Sequence, residues 1–215
     1  MTVYFISGLG ADERTFQKLV LPGSWEIIHL RWLPVDKNET LKSYAEKFAR
    51  EIDTSKPFNL VGLSFGGVLA TELLQFIKPD KTIIISSISN KNELPVSFKL
   101  LGVLKINKLV PAFFLNKMYP LTNWRFGMKT KEGKKLLGQI IHDTSPAFLK
   151  WAINEILNWK KDKRDDGIYH IHGDTDRIFP LNKVKADLVI KNGGHFMVYS
   201  QAEEISKILI ERLMS

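Results

Sequence analysis

Phe58 to Ile77 reads FNLVGLSFGGVLATELLQFI, and this stretch decides the fold. Its first six residues, Phe58 to Leu63, form an apolar run of strand length. Gly62-Leu63-Ser64-Phe65-Gly66-Gly67 follows, and then a helical pattern with Val68, Leu69, Leu73, Leu74, Phe76 and Ile77 on one face. Strand, sharp turn and helix with a serine at the tip is the pattern of a nucleophile elbow, G-x-S-x-G. A serine forced to positive φ brings the backbones of strand and helix nearly into contact, so side chains two residues before and two after it would clash. Glycine at 62 and 66 removes both. The turn lifts Ser64 to the carboxyl end of a strand and the amino end of a helix, where the helix dipole favours developing negative charge. The same letters also fit a glycine-rich turn with a solvent-facing serine, so the rest of the chain has to supply partners.

The elbow sits in a rhythm of strands and helices. Thr2–Ile6 is a predicted buried strand ending at Ser7-Gly8-Leu9-Gly10, and Asp12 is placed to cap a helix running through Phe16, Leu19 and Val20. Glu26 to Trp32 reads as a second strand, and Leu41, Tyr44, Ala45, Phe48 and Ile52 recur at helical spacing after Thr40. Beyond the elbow, Lys81 to Ile88 is a fourth strand, Gly167 to His172 and Ala186 to Lys191 are two more, and Glu203 to Leu213 is a terminal helix. Alternating strands and helices imply an α/β fold with a mostly parallel sheet of about six strands, covered by helices on both faces.

Between Ser89 and about residue 160 that rhythm stops. Apolar clusters at Phe98-Leu101-Leu104, Ala112-Phe113-Leu115-Met118 and Leu136-Leu137-Ile140-Ile141 stand among lysines, and Phe148 to Trp159 is a clear amphipathic pattern after Thr144-Ser145-Pro146. The reading is a core of residues 1–89 and 161–215, with residues 90–160 inserted as a helical cap after the fourth strand. No repeat, low-complexity tract or linker interrupts it.

Composition removes several classes of function. The chain has 215 residues, 44% hydrophobic and 25% charged, which suits one globular domain with a sizeable core. It has no cysteine, so disulfides, thiolate nucleophiles and cysteine metal sites are excluded. The opening MTVYFISGLG enters a strand at once, without a signal-like basic and apolar region, and no apolar run is long enough to span a bilayer. The expected location is cytoplasmic.

Net charge is +8, and from Lys91 to Lys135 ten basic residues face two acidic ones, so the excess belongs to this one segment. Three readings fit: a solvated face that keeps helices soluble, attraction of an anionic substrate or carrier such as a coenzyme A thioester or an acidic acyl carrier protein, or contact of residues 96–115 with an anionic membrane surface. Nucleic acid is disfavoured because no groove-reading motif accompanies the charge.

A serine hydroxyl needs a base within reach and a group that orients the base. His172-Gly173-Asp174-Thr175-Asp176-Arg177-Ile178-Phe179-Pro180 follows the fifth strand, and Asn192-Gly193-Gly194-His195-Phe196 follows the sixth. The order Ser64, Asp176, His195 is nucleophile, acid, base. His195 lies between a glycine pair and Phe196, on a loop that lets the imidazole reach Ser64. His29, His142, His170 and His172 read as scaffold residues by their positions. Asp174 competes with Asp176 for the acid's role, with a polar turn as its other reading.

On these marks the chain resembles the α/β hydrolases of the small, capped type over nearly its whole length. They are Ser7-Gly8-Leu9-Gly10, the G-L-S-F-G-G elbow, G-D-T-D-R-I-F-P and G-G-H-F. The resemblance implies that Asp176, four residues before Pro180, is the acid. It also implies that the amides of Leu9 and Phe65 form an oxyanion hole, although Ser7 stands where family members carry a histidine. A variant acid position after the fourth strand reads Ser87-Ile88-Ser89-Asn90, without a carboxylate. The implied activity is hydrolysis of a small-molecule ester or thioester through an acyl-enzyme, with Trp124, Phe126 and Met128 in the acyl pocket or else in the cap's own small core. A triad-bearing lyase or carbon–carbon hydrolase, and a non-catalytic ligand-binding protein, are the alternatives. No cofactor is implied. No metal is expected either: His170, His172 and Asp174 alternate along a strand with no further ligand to close a site.

Overall fold

The computed structural model describes residues 1–95, 98 and 119–215, with side chains left out for 119–121. Six strands form one wholly parallel sheet: β1 (Thr2–Ile6), β2 (Glu26–Leu30), β3 (Phe58–Leu63), β4 (Lys81–Ile85), β5 (Ile168–Gly173) and β6 (Leu188–Ile190). Their order is β2-β1-β3-β4-β5-β6, so the strand that carries the elbow lies in the middle. Register pairs Tyr4 with Leu60 and Phe5 with Val61.

Alternation along these strands builds two cores, one on each face. Tyr4, Ile6, Leu60 and Ile84 point to one face, where α1 (Leu41–Ala49), α2 (Phe65–Leu73) and α5 (Pro146–Leu157) cover them. Val3, Phe5, Val61, Ile83 and Ile85 point to the other, under α4 (Lys131–Asp143), the short α6 (Met197–Ser200) and α7 (Ala202–Met214). With both faces buried, the central strands read as continuous apolar runs.

Helix starts follow the expected chemistry. Thr40 and Ser43 form a reciprocal capping box at α1, Thr130 caps α4, and Ser145 caps α5 with Pro146 in its first turn.

The insertion between β4 and β5 contains α3 (Tyr119–Phe126), α4 and α5. Its described residues pack into the sheet's two cores. Leu136, Leu137 and Ile140 join one of the two sheet cores, and Phe148, Ala152 and Ile156 join the other. α4 keeps Lys131, Lys134 and Lys135 exposed. Two ionic ties strap it down: Arg14 to Asp143 at 2.7 Å and Lys18 to Glu132 at 3.0 Å, with the Tyr199 hydroxyl also donating to Glu132 at 2.7 Å. The clusters expected at 98–104 and 112–118, and the stretch 96–115 weighed against a membrane, lie outside the described residues apart from Phe98.

Some elements stop earlier than expected. β4 ends at Ile85 because Ser86 adopts φ 47°, which turns the chain out of the sheet. The helix expected through Val20 is a single 3₁₀ turn, Glu13–Phe16, since the Val20 amide donates to the Ser206 hydroxyl instead of closing a helical turn. Among the described residues no helix is long and apolar enough to cross a membrane.

Candidate active site

Ser64 stands between β3 and α2 with φ 53° and ψ −118°, a backbone state that a residue with a Cβ holds only under strain. Both glycines of the elbow are required by packing. A Cβ on Gly62 would lie 2.5 Å from the Gly66 carbonyl oxygen, and one on Gly66 would press into the carbonyl oxygens of Ile6 and Ser7. The turn is anchored to β4 as well. The Ser64 amide donates to the Ile85 carbonyl at 2.9 Å, and the Ser87 hydroxyl donates to the Ser64 carbonyl at 2.7 Å. Ser87, in the stretch that lacks the variant carboxylate, thus acts as a brace for the turn.

The histidine and the acid arrive on the loops after β6 and β5. His195 Nε2 lies 2.8 Å from Ser64 Oγ, and His195 Nδ1 lies 2.8 Å from Asp176 Oδ2. Asp176 and His195 are buried, while Asp174 is exposed in the turn. Geometry thus sets Asp176, the aspartate to which the resemblance points, against His195 and leaves Asp174 out in the turn. Asp176 Oδ1 accepts from the amides of Ile178 at 2.7 Å and Phe179 at 3.0 Å, so one oxygen is spent on the loop and the other faces the imidazole. Burial works to raise the carboxyl pKa of Asp176. Attraction to His195 and His172, with these hydrogen bonds, outweighs it and holds the group below the ordinary carboxylate value. A charged Asp176 fixes the proton of His195 on Nδ1 and leaves Nε2 to accept from Ser64.

Behind Asp176 runs a buried pair of imidazoles. His172 Nε2 donates to the Phe179 carbonyl at 2.7 Å and lies 3.5 Å from Asp176 Oδ2, and His170 Nε2 meets His172 Nδ1 at 3.1 Å. These two rings serve each other and the acid loop, while Asp174 is out in the turn. Burial lowers the pKa of both, that of His170 to about 3. Both are neutral near pH 7. As pH falls from about 6.5 towards 3, the unfolded chain takes up protons that folded His170 refuses, so stability is lost over that window. At pH 5 the loss from His170 alone is about 2 kcal/mol. Urea unfolding at pH 7 and pH 5 measures it, and His170→Leu will flatten the slope. An unchanged slope in that variant would remove His170 as the cause.

The loop after β1 approaches the serine from the other side. A Cβ on Gly8 would lie 3.6 Å from the Ser64 Cβ, so the loop touches Ser64 closely. Leu9 and Phe65 both line the space beside Ser64. Phe65 opens α2, where a helix leaves its first N–H groups without intrahelical acceptors. With serine at position 7, the loop is held by other groups. The Ser7 hydroxyl donates to the Ala11 carbonyl, the Trp32 indole to the Gly8 carbonyl at 3.1 Å, and the Thr144 hydroxyl to the Gly10 carbonyl at 3.0 Å. Gly10 has φ 65° and is packed so tightly on Thr144 that a Cβ would overlap it. Neither Trp32 nor Thr144 carried a sequence signal for this role, because both reach the loop only across the fold.

Above these groups is a cavity of about 290 Å³ whose walls are almost wholly apolar. The three pocket residues expected from sequence separate here. Phe126 lines the cavity and sets its ring edge against His195 at 5.1 Å. Trp124 does not: it is 58% exposed, with the Arg177 guanidinium over its ring at 4.5 Å. Met128 is buried in the core under α4, against Gly133. The reason is the tight bend at Gly127, φ 75°, which lies against Gly194 and lets the Phe196 amide reach the Phe126 carbonyl at 3.2 Å. That bend aims its flanking residues in different directions. Most of the remaining wall, including Ile140, Ile141, Leu149, Ile153 and Ile156, was not singled out in the sequence as pocket, since a residue facing a cavity and one facing a core have the same helical spacing.

No family model and no curated protein matches the chain. Solved structures do match it. A thermophilic esterase from Thermogutta terrifontis superposes with a TM-score of 0.72 at 16% identity, over 100% of this chain and 89% of that one. A bromoperoxidase from Bacillus anthracis gives 0.69 at 16% identity, over 100% and 92%. An N-acyl homoserine lactonase in complex with N-hexanoyl homoserine gives 0.71 at 15% identity, over 99% and 88%. At these identities the likeness speaks for architecture and leaves chemistry to the site. The parallel six-stranded sheet, the elbow at its centre and the agreement with these structures along the whole chain establish that the protein has the α/β-hydrolase fold.

Proposed function

We propose that the protein is a serine hydrolase that cleaves a carboxylic ester or thioester through Ser64, His195 and Asp176. The observation that carries this reading is the unbroken line from Ser64 Oγ to His195 to Asp176, with both contacts at 2.8 Å, opening onto a cavity beside Leu9 and Phe65. His195 Nε2 takes the Ser64 proton as Oγ attacks the carbonyl carbon, and Asp176 stabilises the imidazolium. The amides of Leu9 and Phe65 receive the tetrahedral oxyanion. The intermediate collapses, the bond to the leaving oxygen or sulfur breaks, and His195 gives that atom its proton. Water then attacks the acyl-serine, losing its proton to the same imidazole, and the acid product and free Ser64 result. No metal or cofactor takes part in these steps. For a thioester, the exposed lysines of α4 are the surface that an anionic carrier would meet.

Steady hydrolysis of p-nitrophenyl butyrate and covalent labelling by a fluorophosphonate probe test the reading together. Asp176→Asn is expected to lower kcat by about a thousandfold or more, because the amide no longer holds the imidazole in the right tautomer. Folded wild-type protein that neither turns over esters nor takes the probe would exclude the hydrolase and favour a ligand-binding protein.

A further inference from the structure

Thr15 and Thr144 line the cavity beside Ser64, and the hydroxyls of both are committed to the backbone. Thr15 Oγ1 donates to the Asp12 carbonyl at 2.9 Å, and Thr144 Oγ1 lies 2.7 Å from the Ile140 carbonyl and 3.0 Å from that of Gly10. Held in this way, these hydroxyls are spent on the backbone. Leu137, Ile140 and Ile141 of α4 and Leu149, Ile153 and Ile156 of α5 supply much of the remainder, and no Asp, Glu, Lys or Arg lines the cavity among the described residues. Among the described residues, a carboxylate or hydroxyl carried inside away from Ser64 and His195 would lose its water and meet a mostly apolar wall.

After the first chemical step the acyl half stays bound to Ser64 while the leaving group departs, so the acyl half is the one the cavity must accommodate. A volume of about 290 Å³ gives room for roughly ten groups of water size at about 30 Å³ each. The carbonyl and the leaving atom use part of that space, which leaves an acyl chain of about six to eight carbons. The α4 part of the wall is tied down at both ends through Glu132 and Asp143.

We propose that the substrate's acyl group is a neutral, unsubstituted hydrocarbon chain of medium length, seated in this apolar cavity beside Ser64. The proposal rests on the reading of the site as a serine hydrolase. Chains carrying a terminal carboxylate or internal hydroxyls are rejected by desolvation, and long chains by volume.

The test measures kcat/KM of the full chain on p-nitrophenyl esters from acetate to palmitate, with a mono-succinyl ester for charge. The expected profile rises roughly fourfold per added methylene from acetyl to hexanoyl, the ratio that a buried methylene's transfer free energy gives. It peaks at about six to eight carbons and falls beyond about ten. The succinyl ester is expected on the order of a hundredfold below its length-matched neutral partner. Ile153→Phe narrows the cavity and moves the optimum about three carbons shorter, the side-chain atoms by which phenylalanine exceeds isoleucine. A profile that depends on Ser64 yet is flat, peaks at acetate or palmitate, or accepts the succinyl ester equally overturns the proposal and leaves the hydrolase reading intact. Absence of any hydrolysis that depends on Ser64 overturns the hydrolase reading itself. In that case calorimetry on Ser64→Ala still decides what the cavity prefers. Octanoate binding at least about tenfold tighter than butyrate or succinate sustains the preference, and equal or undetectable binding ends it.

Discussion

Replacing Ser64 with alanine will reduce ester hydrolysis by a factor of about 10⁴ to 10⁶, with the protein still folded. The hydroxyl is the only group on the line from Asp176 that can form the acyl bond, and its loss leaves His195 with nothing to deprotonate except water. Residual activity above background would come from the cavity and the two amides alone. Stability separates this change from a general defect. Alanine keeps the Cβ and therefore the strain at φ 53°, so the urea midpoint of Ser64→Ala should hardly move. Glycine has no such penalty, and Ser64→Gly is expected to gain about 1 kcal/mol while being equally inactive. A destabilised Ser64→Gly would mean that the backbone strain assigned to the elbow is not stored there. Retention of full esterase activity in Ser64→Ala would remove the serine mechanism outright.

Gly66→Ala is expected to have the largest effect on folding of any single-methyl change at the elbow, at least about 3 kcal/mol. Its Cβ would enter the carbonyl oxygens of Ile6 and Ser7, and neither partner is a side chain that can rotate away. To make room, α2 must separate from β1, which opens the contact between the elbow and the loop carrying Leu9. Activity should fall further than stability predicts, even in any fraction that remains folded. Gly23→Ala is the control, because a Cβ there has no atom within 4 Å, and it should stay within about 0.5 kcal/mol of wild type. Thermal or urea unfolding of the three proteins decides the matter, and near-wild-type stability of Gly66→Ala would contradict the close backbone approach.

What could be read from the sequence was local. The apolar run at 58–63 and the two spaced glycines already contain the strand, the turn and the strain. Chain order then offered Asp176 and His195 as partners without any distance. Short-range rules also gave Asp12 as a cap and helix starts at Thr40 and at Thr144-Ser145-Pro146, where Asp12, Thr40 and Ser145 are the capping residues. Where an element's end depended on a remote partner, local reading overshot. Val20 leaves its helix for Ser206, and β4 turns at Ser86 so that Ser87 can hold the elbow.

By itself the sequence determined the alternation of strands and helices, the serine turn, and the set of groups from which a catalytic line can be drawn. Those follow from periodicity and from steric rules that act within a few residues. The tertiary structure alone decided that Trp32 and Thr144 hold the loop that presents Leu9 and that Phe126 faces the cavity while Trp124 and Met128 do not. It alone put a distance on the contact between His195 and Asp176, the aspartate the resemblance had favoured over Asp174. Each of these is a contact between residues brought together by packing of the sheet and the inserted helices. Such contacts depend on distances in space, to which spacing along the chain gives no access.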